Sequence, residues 1–208
     1  MQSPRRLSML LCLAIVLVLA ASIVPKHVAA DDAGLVLARD GRTGYVICIG
    51  DDASPVKKTA AAELADYLKQ VTGAEFPVLT ETELAARREN GANPPLIVIG
   101  PSQQMAKLLP DVKTDDFQYD EILIRTVGPN LVLAGHEQRG ALYAVYTLLE
   151  DTVGVRWWSS TETDVPKKPT LEIPSLDVRY APKLVYREAY YRDVFNGPFA
   201  AKMKLNGN

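Results

Sequence analysis

The sequence is poor in the side chains that metal sites and nucleophilic active sites need. Its 208 residues include only 2 cysteines and 2 histidines, and they contain no C-x-x-C, H-E-x-x-H or EF-hand pattern. Cys48 lies in an apolar run and is expected to be a buried, unreactive thiol. Basic residues (23) do not outnumber acidic residues (25), and no basic stretch stands out in the body of the chain. We therefore expect no metal, no cofactor and no nucleic-acid partner.

The chain also lacks internal repeats and low-complexity stretches. Its composition, 48% hydrophobic and 23% charged, is that of an ordinary globular protein. Its length suits one domain, or one domain with part of a second. A complete (β/α)₈ barrel takes about 250 residues, so we expect no such barrel behind another domain in this sequence.

The first 30 residues contain a basic pair, then an apolar run, then a small-residue pattern. Arg5 and Arg6 precede the apolar residues 7–24, and small residues follow as far as Ala30. This layout is typical of a secretory signal peptide cleaved after Ala30, so we expect a secreted or periplasmic product. The apolar run is only just long enough to cross a membrane, and a retained anchor is the alternative. After cleavage we expect no membrane span.

Beyond residue 30 the apolar pattern predicts both helices and strands. Ser54 is expected to cap a helix that has Pro55 in its first turn and apolar side chains every three or four residues as far as Val71. A second amphipathic helix is predicted for residues 137–151. Apolar runs that predict strands occupy residues 35–38, 45–49, 76–79, 96–99, 117–127, 131–134 and 155–158. This order predicts an α/β (α+β) fold, a two-layer sandwich with two main helices on a mixed, mostly antiparallel sheet, and with Leu64 and Leu148 in the core.

Three patterns could carry chemistry, and a structural interpretation is favoured for each. Gly135 and Gly140 have the spacing of a phosphate-binding loop, but the lysine of that loop is missing, so a tight strand-to-helix connection is predicted. His136 lies in the same connection, and without a G-x-S-x-G elbow nothing indicates a serine hydrolase. The adjacent acids at 51–52 and 115–116 are expected to solvate turns rather than to face each other across a glycosidic bond.

The aromatic residues give the best indication of a binding surface. Trp157 and Trp158 are neighbours in a predicted strand, so one can enter the core while the other lies exposed, where an indole could stack on a sugar. Residues 186–193 mix aromatic and charged side chains. Such a mixture suits a polar ligand site or an interdomain surface, and the sequence leaves both open.

Several of these segments together resemble one known accessory domain. Residues 59–68, 71–73 and 97–100, and above all the pair G-A-L-Y-A-V-Y at 140–146 and G-V-R-W-W at 154–158, are similar to the domain that precedes the catalytic barrel in bacterial α-glucuronidases and β-N-acetylhexosaminidases. The resemblance extends from Leu35 to Asn208. It is greatest to uncharacterised secreted bacterial proteins with an α-glucuronidase-like N-terminal domain.

The resemblance implies a domain organisation and a set of site residues. Behind the signal peptide expected at 1–30, it implies the accessory domain at 31–180, and a linker with the first strand of a truncated catalytic barrel, around residues 184–186, at 181–208. In those families the catalytic acids lie in the barrel, so no catalytic residue is assigned here. Residues 190–192 match a stretch that helps to line the sugar pocket of α-glucuronidases. The predicted substrate-binding residues are Trp158, Arg187, Tyr190, Tyr191 and Arg192.

Two functions are consistent with the sequence. The first is a non-catalytic accessory domain, or fragment, of a secreted α-glucuronidase-like glycoside hydrolase, with a TIM-barrel domain and carbohydrate as partners and no hydrolase activity of its own. The second is a stand-alone secreted carbohydrate-binding or protein-interaction module. In either case the run at 184–186 is expected to be an unpaired strand edge, and removal of residues 183–208 is expected to leave the sandwich stable.

Overall fold

The structure, a computed structural model, describes residues 34–207. The predicted signal peptide lies outside the described residues, and its cleavage stays a prediction. The main sheet has six strands in the order β10-β5-β6-β4-β2-β3. These strands are β2 (Val46–Ile49), β3 (Val78–Thr80), β4 (Leu96–Ile99), β5 (Ile122–Val127), β6 (Asn130–Gly135) and β10 (Asp177–Tyr180).

The sheet is mixed, as the sequence predicts, but three of its five strand pairs are parallel. β2 runs parallel to both β3 and β4, and β4 runs parallel to β6. The pairs β5–β6 and β5–β10 are antiparallel, and the first of them is the hairpin expected around Gly128. An α/β domain is therefore confirmed, whereas the expected antiparallel majority does not hold within the six-stranded sheet.

Helices cover both faces of this sheet, so the domain has three layers rather than the expected two. On one face lie α1 (Pro55–Thr72) and α4 (Gly140–Thr147), and on the other lie α2 (Glu81–Glu89) and α3 (Gln103–Leu108). All residues of β2 and β4 are buried, which requires cover on both sides. On the second face, Leu84 of α2 and Met105 of α3 cover these strands. The sequence pattern favours helices at both places, but α2 is mostly polar and α3 is short, so neither has the long apolar stripe that predicts a packed layer.

The two predicted helices are present with differences at their ends. α1 spans the predicted residues, although the Ser54 side chain makes no capping hydrogen bond. The second helix begins later than predicted, at Gly140, and continues after Thr147 as a π-helical turn, Leu148–Val153. Leu64 and Leu148 are fully buried, which confirms their place in the core.

Close backbone contacts explain the late start of α4. A Cβ atom on Gly135 or Gly140 would lie within 2.2–2.4 Å of the carbonyl oxygen of Glu121. The two positions therefore accept only glycine, and the predicted tight connection is confirmed.

The His136 ring lies against Tyr119, with ring centroids 5.4 Å apart. Its Nδ1 atom is buried and has no hydrogen-bond partner among the described residues.

Two small ladders complete the domain. β1 (Leu35–Ala38) pairs with β9 (Leu171–Ile173), and β7 (Arg156–Trp157) pairs with β8 (Thr163–Asp164). Trp157 is buried, and its Nε1 donates a hydrogen bond of 2.8 Å to the Tyr67 hydroxyl. Trp158 is 65% exposed. The expected division of the two indoles between core and surface is thus confirmed.

Residues 181–207, called here the C-terminal segment, form no strand. They contain a 3-10 turn, Arg192–Phe195, and a short helix α5, Gly197–Lys202. The strand expected around Leu184 is absent, and none of the described strands pairs with these residues. The segment is also not a loose edge, since Val194 and Phe199 are buried in the main core and Ala200 is buried beside Phe199 in the sequence. The barrel assignment of residues 181–208 stays a prediction.

Candidate ligand-binding pocket

A buried carboxylate fastens the C-terminal segment to the sheet. Asp120 comes two residues before β5, has a left-handed backbone conformation (φ 55°) and is fully buried. Its two oxygens accept hydrogen bonds from Arg139 Nε at 3.0 Å, Arg187 Nη2 at 2.7 Å and Asn206 Nδ2 at 2.8 Å. Burial alone would raise the pKa of Asp120, but the hydrogen bonds from these three donors outweigh burial and lower the pKa. Asp120 is therefore ionised at neutral pH.

Further hydrogen bonds connect parts of the C-terminal segment to one another and to α4. Arg187 Nε and Nη1 donate to the carbonyl oxygens of Lys204 (2.9 Å) and Leu184 (2.8 Å). The Tyr143 hydroxyl on α4 donates to the carbonyl oxygen of Leu205 at 2.8 Å. Lys204 pairs with Glu150 in the π-helical turn. The segment thus has polar attachments to three parts of the domain.

A pocket of about 430 Å³ lies between this segment and the edge of the sheet. We call it the β10 pocket. Val178 and Tyr180 of β10 stand opposite Ile124 and Ile122 of β5, so their side chains share the face that α4 covers over β5. The lining residues are Asp120, Ile122, Tyr143, Thr147, Asp151, Val178, Tyr180, Pro182, Arg187, Met203 and Lys204. The walls are mostly apolar.

The polar groups of the β10 pocket carry balanced charge. Asp120 and Asp151 are acidic, and Arg187 and Lys204 are basic. Arg187 is paired with Asp120 and Lys204 with Glu150, whereas the exposed Asp151 side chain has no ion-pair or hydrogen-bond partner among the described residues. Burial and the nearby Asp120 carboxylate raise the pKa of Tyr143 to about 12, so its hydroxyl stays protonated.

Of the predicted substrate-binding residues, only Arg187 lines this pocket. Trp158 lies beyond β7, and Tyr191 and Arg192 lie at the 3-10 turn of the C-terminal segment. A hydrogen bond of 3.3 Å from the Ser160 N–H to Asp193 links the Trp158 loop to that turn. The lining of the pocket therefore includes Arg187 but none of the other predicted residues, and the role of all five in binding stays a prediction.

Tyr190 belongs to a separate exposed cluster. Its hydroxyl and that of Tyr186 both donate hydrogen bonds to Oε2 of Glu188. These bonds lower the pKa of Glu188, and they raise the pKa of Tyr186 to about 12. Tyr190 is 80% exposed and Tyr186 is 64% exposed. The cluster presents a carboxylate between two phenol rings to solvent.

The C-terminal segment exposes an unusual number of large apolar side chains. Leu184, Val185, Tyr186, Tyr190, Tyr191 and Phe195 are each at least 49% exposed. We call these six residues the exposed apolar surface. Where large apolar side chains group together on the surface of a domain, they mark contacts with another protein or with a ligand.

Sequence reasoning missed most of the pocket. Asp120 and Asp151 are single acids with no motif around them, and Tyr143 is one apolar position among many in α4. The contact that matters most, Asp120 with Arg187, joins residues 67 positions apart. Within residues 34–207 no His, Cys, Asp and Glu side chains are grouped so that they could hold a metal ion. The same residues include no helix long and apolar enough to cross a membrane.

Comparison with known proteins gives a fold likeness. No family model matches the sequence, and neither does any curated protein. The structure is similar to part of BtGH115A, a family GH115 4-O-methyl-α-glucuronidase with specificity for decorated arabinogalactans, with 18% identity over 74% of this chain and 19% of that one and a TM-score of 0.51. For CpGH84D the identity is 12% over 77% of this chain and 24% of that one, with a TM-score of 0.49. The chain spans about a fifth to a quarter of the length of these structures.

Proposed function

We propose that the chain is a non-catalytic accessory domain of a secreted, α-glucuronidase-like glycoside hydrolase. The observation that carries the proposal is the exposed apolar surface, which gives the domain a face to pack against a catalytic barrel. The likeness to a fifth of a much longer α-glucuronidase is consistent with this role. Tyr191 and Arg192 would then lie at the junction with the barrel, close to its sugar.

The native gene product tests this proposal directly. An antibody against the described domain should recover from the culture fluid or periplasm a chain larger than 22.8 kDa by about a barrel of 250 residues, with glycosidase activity in the same fraction. N-terminal sequencing of a secreted form should begin at Asp31. The 208-residue chain alone should not hydrolyse aryl glucuronides or aryl N-acetylhexosaminides. Recovery of an inactive native product near 22.8 kDa would contradict the accessory role.

A stand-alone carbohydrate-binding or protein-interaction module is the second candidate. Exposed aromatic rings favour it, namely Trp158 and the Tyr186–Glu188–Tyr190 cluster. A small native product that is retained on polysaccharide columns, and that loses retention on Trp158→Ala or Tyr190→Ala substitution, would favour this candidate over the first.

A further inference from the structure

We propose that the β10 pocket binds a neutral pyranose ring, with its C–H face against the apolar wall and its hydroxyls at the polar mouth. Such a site would be distinct from any sugar contact at Tyr190, Tyr191 or Arg192. It goes beyond the accessory role, because it requires no partner domain. The geometry, the charge balance and the hydrogen-bonding groups of the pocket each support it.

The shape of the pocket fits a small ring with one apolar face. Its volume of about 430 Å³ falls in the range of small-molecule sites. Ile122, Val178 and Met203 present aliphatic groups, and Tyr143 and Tyr180 add aromatic rings. These groups can pack against the C–H groups of a pyranose. A peptide strand that paired with the β10 edge would leave this pocket unfilled, because residues of the C-terminal segment also line it.

The charges of the pocket disfavour a charged ligand. Two acidic and two basic side chains line it, and both basic groups already have a carboxylate partner at 2.7 Å or closer. An anion would have to compete with Asp120 or Glu150 for them. A cation would meet Asp151, but also the two positive charges opposite. A neutral ligand pays neither of these electrostatic costs.

The polar groups match hydroxyls, which both donate and accept. Asp151 has no partner among the described residues and can accept from two neighbouring hydroxyls. Lys204 and Arg187 each keep N–H groups beyond those used in their present bonds, and these can donate. The Thr147 and Tyr180 hydroxyls can do either. Acceptors and donors therefore both face the same small volume.

Nuclear magnetic resonance titration of the purified chain tests the proposal. Methyl β-xylopyranoside and methyl β-glucopyranoside serve as neutral probes, glucuronate as the anion and choline as the cation. We expect the neutral glycosides to give saturable shifts at the amides of Thr147, Asp151, Val178 and Tyr180 at millimolar concentrations. Absence of saturable shifts with both glycosides, or tighter binding of glucuronate or choline, would overturn the ligand class.

Two substitutions place the binding in the pocket, and one serves as a matched control. Val178→Trp fills the pocket and should weaken glycoside binding at least about tenfold. Val78→Trp places the same ring on the opposite edge strand, at a valine of nearly equal exposure (38% against 36%), and should leave binding within about twofold. Asp151→Asn, on an exposed side chain, should weaken binding without unfolding the chain. Unchanged binding in both Val178→Trp and Asp151→Asn would refute the site.

Discussion

The centre of the sheet and the C-terminal segment are held in place by different forces. In β2 and β4 every side chain is apolar and buried, and helices cover both faces. The C-terminal segment buries few side chains, exposes six large apolar ones, and is attached by polar contacts as well as by apolar ones, among them the hydrogen bonds to the ionised Asp120. Apolar burial is insensitive to pH, whereas the polar part of the attachment of the segment includes the buried charge of Asp120. The two regions should therefore respond to different perturbations.

The largest expected loss of stability comes from substitutions in the main core. Leu148→Ala or Leu64→Ala should lower the free energy of unfolding by about 2–5 kcal/mol, because each side chain is fully buried and leaves a cavity. Leu184→Ala, on the exposed apolar surface, should change it by less than about 0.5 kcal/mol. Urea unfolding followed by circular dichroism measures all three. Equal losses at Leu148 and Leu184 would remove the distinction between the two regions.

A somewhat smaller effect is expected at the attachment of the C-terminal segment. Asp120→Asn removes the charge but keeps a side chain that tolerates the positive φ, and it should cost on the order of 3 kcal/mol because two arginines lose their buried partner. Amide hydrogen exchange should accelerate mainly in the C-terminal segment. Asp177→Asn, which breaks the exposed pair with Arg125, is the control and should cost about 0–1 kcal/mol. Uniformly faster exchange over the whole domain would argue against a separately attached segment.

The contribution of Asp120 should also depend on pH in a definite direction. Its pKa in the folded chain is lowered, so its stabilisation is complete above the unfolded-state pKa, about 3.9, and is lost as the pH falls through the folded value. The difference in unfolding free energy between the natural chain and Asp120→Asn should therefore be constant near neutrality and shrink below about pH 4. A difference that grows on acidification would contradict this sign.

The smallest expected effect is the difference in stability between variants of the two tryptophans. Trp157→Phe removes the hydrogen bond to Tyr67 and should cost about 1 kcal/mol. Trp158→Phe, at a 65% exposed position, should stay within about 0.5 kcal/mol. Thermal unfolding of both variants gives the comparison. A greater loss at Trp158 would mean that its surface contacts are stronger than those of the core indole.

Features set by neighbouring residues could be predicted from the sequence, and features set by distant ones could not. α1, the β5–β6 hairpin and the division of Trp157 from Trp158 follow from local periodicity and turn chemistry. The parallel pairing of β2 with β4 depends on crossovers through α1, β3 and α2, and an apolar run does not specify its partners. The β10 pocket is assembled from four separate stretches, so the sequence predicts only Arg187 among its lining residues.

The C-terminal segment illustrates the same limit. The apolar run at 184–186 predicts a strand, yet a strand needs a neighbour, and the local pattern cannot supply one. Phe199 and Val194 enter the main core instead. Removal of residues 183–208 should therefore open the core rather than leave the sandwich intact, which reverses the expectation drawn from the sequence.

The buried position of Cys48 makes its thiol a natural probe of transient opening of the domain. The thiol is fully buried on β2, between β3 and β4, and burial with the nearby Glu81 raises its pKa to about 11. Alkylating reagents attack the thiolate, so the native state is doubly protected against them. The rate at which iodoacetamide labels Cys48 would thus time the transient separation of β2 from its neighbours, without any engineered probe.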